Sequence, residues 1–246
     1  MASPRSSTLF HFTKTLEKVQ SILQKGFIPY YSLEDTSWLR APNAEFLAFP
    51  MACFCDIPIS RIHNHVKFYG DYGIGISKDW ALRNGVNPTA YYSLSSPLSD
   101  VVLTAIRAGI SAKKKDSDSS LQDCIFSLLS YAKPITGTMI VAGEPVSKEF
   151  YLENEWRHVP SLTKAHYPVT RSEYENAAQR AELDKIAEAA TIVFNPADIR
   201  YIFVKTDADI PPLINFMNDK LQHFPSVELK ILSSRVTSLE YLARDV

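Results

Sequence analysis

A histidine and a pair of glutamates are the side chains in this sequence whose types and spacing are best suited to chemistry. His11 lies in the short aromatic segment LFHFT, and Glu153 and Glu155 alternate in the segment ENEWR. Alternate side chains of an extended strand share a face, so both carboxylates are expected to project the same way. Two adjacent carboxylates raise the pKa of at least one of them unless a cation such as Arg157 compensates. The pattern predicts a charged site on a late strand.

A glycine-bearing segment lies between these two features. Residues 72–77, YGIGIS, are typical of a strand, and glycines inside a strand indicate that another group comes close to the backbone. A β-bulge is the alternative explanation for the same glycines.

These three segments, in this order, resemble the ADP-ribosyltransferase superfamily, which has a first-strand histidine, a glycine-bearing middle strand and a late-strand glutamate. LFHFTKTLEKVQSILQKGF resembles the opening of bacterial members of that superfamily. YGIGISKDWA is similar to the Tyr-Gly-x-Gly-x-Tyr segment of the poly-ADP-ribose polymerases, although Ser77 stands where those enzymes have their second tyrosine. The chain as a whole resembles more closely the AbiGi-type abortive phage-infection proteins, described as antitoxins, through LFHFT, ACFCDIP, YGIGISKDW and EWR.

The resemblance implies a pocket for NAD, used as a substrate, with one catalytic pair. His11 would hydrogen-bond and orient the ribose on the nicotinamide side, and Tyr72 or Tyr69 would stack on the nicotinamide ring. Glu155 would stabilise the positive charge that develops as the glycosidic bond opens. The implied cofactor-binding residues are His11, Phe12, Thr13, Tyr69, Tyr72, Gly73, Ser77 and Arg157.

The function implied is transfer of ADP-ribose to a protein or nucleic-acid acceptor in a phage-defence or toxin–antitoxin setting. The alternative is a non-catalytic antitoxin or nucleotide-sensing regulator that binds a partner, either a cognate toxin or a phage or host protein. The serine at position 77 favours this alternative, and Arg157 has two open roles, to bind a pyrophosphate or to pair with Glu153.

The amino-acid composition argues against several other classes of protein. The 246 residues are 46% hydrophobic and 22% charged with a net charge of -1, whereas proteins that clamp extended duplex nucleic acid usually carry a marked basic excess. Three cysteines make no disulfide framework, and Cys53-x-Cys55 with His63 and His65 fits no common closed zinc site, so no metal is expected. No apolar run approaches the roughly 20 residues that span a bilayer. A cytoplasmic protein is the expectation.

The elements that must position these side chains are mixed in order, which predicts an α+β fold over a single domain, 1–246. The resemblance implies that this fold is an ADP-ribosyltransferase-like mixed-sheet core with flanking helices. Apolar spacing predicts a helix within residues 14–26, KTLEKVQSILQKG, with Gly26 at its C-terminal end. Thr170 with Glu173 predicts a capping box for a long helix over 173–190. Residues 227–233, VELKILS, are expected to form a strand.

Overall fold

The protein is described by a computed structural model that covers residues 6–41, 44–112, 120–141, 143–161 and 167–244. It is α+β, with mixed sheets and flanking helices, as predicted. The strands are β1 (Thr8–Thr13), β2 (Tyr31–Asp35), β3 (Phe46–Pro50), β4 (Ala52–Cys55), β5 (Tyr72–Ser77), β6 (Asn87–Pro88), β7 (Ala90–Tyr92), β8 (Ala132–Pro134), β9 (Thr136–Val141), β10 (Glu144–Glu149), β11 (Glu155–His158), β12 (Val169–Thr170), β13 (Ile199–Val204) and β14 (Val236–Ser238). The helices are α1 (Leu16–Lys25), α2 (Ile62–Tyr69), α3 (Lys78–Arg83), α4 (Pro97–Ala112), α5 (Ser120–Ser130), α6 (Arg171–Glu175), α7 (Ala177–Glu188), α8 (Ile210–Lys220), α9 (Ser226–Ser233) and α10 (Leu239–Leu242).

The chain divides into two compact units, each assembled from separate stretches of sequence. The first unit contains Met1–Ile28, Cys53–Val86 and Thr191–Val246. The second contains Pro29–Ala52 and Asn87–Ala190. The single domain expected over 1–246 stays a prediction.

The first unit is built on a sheet in the order β14-β13-β5-β1-β4. The β13–β14 pair is parallel, and β5 pairs antiparallel with both β1 and β13, so the sheet is mixed. Because side chains alternate along β1, Phe10 and Phe12 pack on one face with Phe203, while His11 lies on the other face beside Phe27. Both faces of this strand are therefore covered.

The glycines of β5 make room for the aromatic side chains of β1. In the antiparallel register Phe12 lies opposite Gly73 and Phe10 opposite Gly75. A Cβ atom on Gly73 would lie 2.8 Å from the Phe12 ring, and one on Gly75 would lie 3.0 Å from the Phe10 ring. The predicted close approach to the backbone is confirmed, and the approaching groups are the protein's own phenylalanines.

Helix α1 forms within the predicted segment and ends at the predicted glycine, although it begins two residues later than the segment does. The Thr15 side chain accepts a hydrogen bond from the Lys18 amide, and Gly26 follows the helix with a φ of 103°. A Cβ atom on Gly26 would lie 2.5 Å from the Ile192 carbonyl oxygen. Glycine is thus required at this position by both its dihedral angle and its surroundings.

The second unit contains the sheet β12-β3-β2, the hairpin β10-β9, the parallel pair β7-β8 and the pair β11-β6, together with helices α4 to α7. The capping box is confirmed, since the Thr170 side chain and the Glu173 side chain each bond the other's backbone amide. The long helix expected over 173–190 is instead two helices. They meet at Asn176, whose side chain accepts from the Ala178 and Gln179 amides and so caps α7.

The strand predicted over 227–233 is wrong, because this segment forms α9. The Leu229 amide donates to the Pro225 carbonyl, which closes the first helical turn. Leu232 is buried, whereas Val227 and Ile231 are exposed. The apolar residues that alternate in the sequence are therefore not the ones that pack against the core. Tertiary packing of Leu232 has overridden the local period of two.

Candidate functional site

The two glutamates singled out in the sequence meet at a turn in the second unit. Glu153 closes a short 3₁₀ turn, Phe150–Glu153, and Asn154 follows in the left-handed conformation with a φ of 43°. Glu155 is the first residue of β11. The expectation that both lie on one strand is wrong, because the left-handed residue between them interrupts the extended chain. Both carboxylates nevertheless converge on one cation.

That cation is Lys133 of β8, whose side chain is 7% exposed. Its Nζ lies 2.9 Å from Glu155 Oε2 and 3.1 Å from Glu153 Oε2. It also lies 3.5 Å from Glu34 Oε2, on β2. The ammonium group sits 4.3 Å from the centre of the Phe150 ring, which closes one side of the site. Lys133 thus bridges three carboxylates in an environment that excludes water.

Arg157 holds two of these carboxylates, those of Glu155 and Glu34, from another direction. Its guanidinium is fully buried, and its Nε and Nη2 atoms each donate to Glu155 at 3.0 Å, one to each carboxylate oxygen. Nη2 also lies 2.7 Å from Glu34 Oε2, and Nη1 donates to the Ser130 carbonyl at 2.6 Å. The fork geometry is the strong, bidentate form of a charge-assisted hydrogen bond.

We call this group the buried ion cluster; it consists of Glu34, Lys133, Lys148, Glu153, Glu155 and Arg157. Lys148 joins it through an ion pair with Glu153 Oε1 at 2.5 Å. Its members carry three negative and three positive charges, so the cluster is neutral as a whole. Neutrality and dense hydrogen bonding are what allow charges to lie inside a protein.

The cluster keeps its members ionised. Burial alone would raise the pKa of Glu155, but the Arg157 and Lys133 cations outweigh it and hold that pKa well below its usual value of 4.5. Burial alone would likewise lower the pKa of Lys133, but the neighbouring carboxylates, Glu155 foremost, raise it above 10.5. Arg157 is therefore a compensating cation, and the carboxylates that it bonds are those of Glu155 and Glu34, whereas the sequence suggests Glu153 as its partner.

Glu155 is anchored by its backbone as well as its side chain. Its amide donates to the hydroxyl oxygen of Tyr91 at 2.9 Å. Burial of Tyr91, together with the nearby Glu155 carboxylate, raises the pKa of its hydroxyl above 10, so this hydroxyl stays neutral. A permanently charged carboxylate whose two oxygens both accept hydrogen bonds is suited to holding Lys133 and Arg157 in place, and poorly suited to exchanging protons.

His11 lies in the first unit, on the face of β1 opposite Phe12. Its Nδ1 donates to the Cys53 carbonyl at 2.7 Å, and its ring packs against Phe27 and Phe54 at centroid distances of 5.3 and 5.7 Å. Burial lowers the pKa of His11, although the bond to Cys53 opposes that effect. The side chain is thus a neutral, oriented imidazole within an aromatic layer.

The two tyrosines proposed to stack on a ligand lie on opposite faces of this sheet. Tyr72 is paired with Thr13 in the register, so it shares the face of His11, and its hydroxyl donates to Asp209 Oδ2 at 3.3 Å. Tyr69 ends α2 and stacks on His65 at 4.4 Å, and His65 in turn contacts Phe12. Of the two, Tyr72 is the one placed beside His11.

The remaining candidates of the first unit have clear structural partners. Thr13 is buried at the end of β1, and Phe12 stacks on Phe203 at 6.0 Å. The Ser77 hydroxyl accepts from the Trp80 amide at 3.2 Å and caps α3. A helix cap explains why serine stands at this position.

Seven of the predicted residues therefore lie in the first unit, on both faces of its sheet: His11, Phe12, Thr13, Tyr69, Tyr72, Gly73 and Ser77. Glu155 and Arg157 belong to the second unit. Sequence reasoning missed Lys133, which bonds Glu155, as well as Glu34, which pairs with Arg157, and Lys148, which pairs with Glu153. The only local signal was a lone lysine in the otherwise apolar run YAKPI, which gives no information about distant partners.

Within the described residues, no group of three or more His, Cys, Asp or Glu side chains is placed to hold a metal ion. In the same part of the chain, no helix is both long and apolar enough to cross a membrane.

Removing one member of the buried ion cluster should destabilise the protein strongly. We expect Lys133→Met to lower the free energy of unfolding by about 3–5 kcal/mol, because it leaves buried carboxylates without their shared cation. Lys185→Met is the matched control, since Lys185 pairs with Glu182 at 2.7 Å but is 69% exposed. Urea unfolding followed by circular dichroism measures both, and equal effects of the two substitutions would contradict the structural role of Lys133.

The cluster should also make stability depend on acid pH. The pKa values of Glu153 and Glu155 are lowered in the folded chain, so their contribution is present above about pH 4.5 and is lost as pH falls further. Each proton taken up on unfolding adds a slope of about 1.4 kcal/mol per pH unit. We expect Glu155→Gln, or Glu153→Gln if that variant does not fold, to reduce the slope between pH 5 and 3. An unchanged slope in a folded variant would show that other carboxylates are responsible.

Similarity to known proteins assigns the chain to a family. Residues 25–205 match the profile of the family described as "Putative abortive phage resistance protein AbiGi, antitoxin". The chain is 25% identical over 248 residues to "Abortive phage resistance protein AbiGi" from Lactococcus lactis subsp. cremoris, an alignment that covers 89% of this chain and 99% of that protein. No solved structure matches the chain. The family match spans well over half of the sequence, and the chain therefore belongs to the AbiGi abortive phage resistance family.

Proposed function

We propose that the protein is a non-catalytic antitoxin of a phage-defence system, which acts by binding a cognate toxin protein. Membership of the AbiGi family associates the chain with abortive phage resistance, and the family description names an antitoxin. The proposal that the protein is non-catalytic rests on the hydrogen bonding of the Glu155 carboxylate. Both of its oxygens already accept hydrogen bonds from Arg157 or Lys133.

A catalytic glutamate in glycosidic bond cleavage must present its charge to the reacting sugar. The charge of Glu155 is instead neutralised by two buried cations at 2.9 to 3.0 Å. A substrate would have to replace these contacts, and the displaced Lys133 and Arg157 would be left buried without partners. That cost is several kcal/mol for each buried ion.

Helix α4 of the second unit offers a surface for a protein partner. Leu103 and Ile106 are buried on one side of it, at 7% and 3% exposure. On the neighbouring stripe, Leu98, Val101 and Ala105 follow a spacing of i, i+3, i+7 and are all exposed. A helix whose apolar stripe extends beyond its buried side is typical of one that a partner covers. The occupant we propose is the cognate toxin, in keeping with the family's description as antitoxins.

This surface gives a direct test with a matched control. Val101 on α4 and Val227 on α9 are both 65% exposed, so an aspartate disturbs the fold similarly little at either position. We expect Val101→Asp to weaken the complex with the protein encoded by the neighbouring gene by at least about tenfold, as for a central interface residue. Val227→Asp should leave the affinity unchanged. Co-expression, size-exclusion chromatography and titration calorimetry measure the complex.

Failure of the unchanged chain to bind that protein would overturn the proposal, whatever its effect on cell growth. Binding that Val101→Asp does not weaken would instead exclude α4 as the surface and leave partner binding intact.

ADP-ribosyl transfer on an ADP-ribosyltransferase-like fold is the second candidate function. It is favoured by His11 and Tyr72, which share one face of the β1–β5 pair, and by a glutamate at the start of β11. In that case NAD would be the substrate. The role of Phe12, Thr13 and Gly73 in binding it remains a prediction. A nucleotide-sensing regulator would use the same residues without chemistry.

Labelled NAD distinguishes these functions. We expect no label to move from NAD to protein or nucleic acid when the purified chain is incubated with cell lysate, because Glu155 is committed to its ion pairs. A known active transferase serves as the positive control. Label that appears with the unchanged chain and disappears with a Glu155→Gln variant shown to be folded by circular dichroism would establish the transferase and contradict our proposal.

A further inference from the structure

The second unit contains an open cavity of about 540 Å³ that none of the residues predicted from the sequence lines. It lies beside the end of β2, the start of β3, the hairpin β9–β10 and the first residue of α6. Its volume lies within the range of sites that hold small molecules, roughly 300–1,000 Å³.

Two arginines stand in the wall of this cavity. The Arg40 side chain is exposed, and among the described residues it makes no hydrogen bond or ion pair. Its backbone is held in the left-handed region at a φ of 52°, which is uncommon for a residue with a side chain. Arg171 is oriented by two contacts, an ion pair with Glu175 at 2.6 Å and the face of Phe46 at 5.5 Å.

The wall also contains two acidic residues, Asp35 and Glu45, and neither fully offsets the charges of Arg40 and Arg171. The Asp35 carboxylate accepts from the Ser37 amide and hydroxyl at 3.0 and 2.6 Å, and from the Thr138 amide at 2.7 Å. Its charge is therefore used in joining β2 to β9. Glu45 is exposed, so its charge is screened by solvent.

The rest of the wall is apolar. Phe46, Ile140 and Pro145 line it, and Phe46 presents an aromatic ring next to the Arg171 guanidinium. Arginine recognises phosphate oxygens in a planar, forked geometry, and aromatic and aliphatic walls accommodate flat rings.

We propose that this cavity binds an organic phosphate with a planar ring, the chemical class of the mononucleotides. Arg40 and Arg171 hold the phosphate, and the ring lies against the apolar wall. The site is independent of the proposed toxin partner and of the residues around His11.

Titration calorimetry with AMP, GMP, CMP and UMP tests the proposal, with inorganic phosphate and adenosine as partial ligands. We expect at least one nucleotide to bind more tightly than either partial ligand. Arg171→Ala and Arg40→Gln should each weaken that binding by about tenfold, the scale of a lost charged hydrogen bond. Glu45→Gln should leave it unchanged or strengthen it, because it removes a negative charge from the wall.

Arg180→Ala is the matched control for Arg171→Ala. Arg180 also makes an i,i+4 ion pair, with Asp184 at 3.2 Å, and also lies over an aromatic ring, that of Tyr174 at 4.0 Å. It is absent from the cavity wall. Saturable nucleotide binding that Arg171→Ala weakens and Arg180→Ala does not supports the site. No binding by any of the four nucleotides at millimolar concentration, or equal loss in both arginine variants, would overturn it.

Discussion

The buried ion cluster is the constraint on which the second unit depends. Its members come from β2, β8, β10, the 3₁₀ turn before β11 and β11 itself, so the cluster joins segments far apart in the sequence. Each charge has been removed from water, and only the other charges compensate for it. Such a group adds little net stability compared with an apolar core, but loss of one member leaves the others buried without counter-charges. Its contacts connect these strands to one another.

The first unit solves a different packing problem. Strand β1 carries aromatic side chains on both faces. Its neighbour β5 makes room for two of them because it has glycines at positions 73 and 75. His11 belongs to the opposite aromatic layer, oriented by the Cys53 carbonyl. A glycine-bearing strand beside a histidine strand can thus arise from core packing alone, with no ligand needed to explain it.

These two observations bear on function together. The residues that resemble an ADP-ribosyltransferase motif all have structural partners, and the glutamate of that motif is the most completely paired. Family membership points to phage defence, and the family description to an antitoxin. Binding, through the apolar stripe of α4, agrees with both the family and the paired glutamate. The cavity near Arg40 and Arg171 is a separate feature with its own chemistry.

The sequence by itself determined the features that depend on neighbouring residues. The α+β class, helix α1 with its end at Gly26, the capping box at Thr170 and the close approach at the β5 glycines all follow from local spacing. The sequence also indicated Arg157 as a cation beside the glutamates, although it named Glu153 as the partner and the structure has Glu155.

Only the tertiary structure decided the rest. Lys133 reaches Glu155, and Glu34 reaches Arg157, from positions more than twenty residues away, and nothing in their local sequence identifies their partners. Residues 226–233 form a helix although they alternate like a strand, because burial of Leu232 outweighs local preference. A buried charge is tolerated only where the fold supplies its counter-charge, and that supply is a property of the assembled chain.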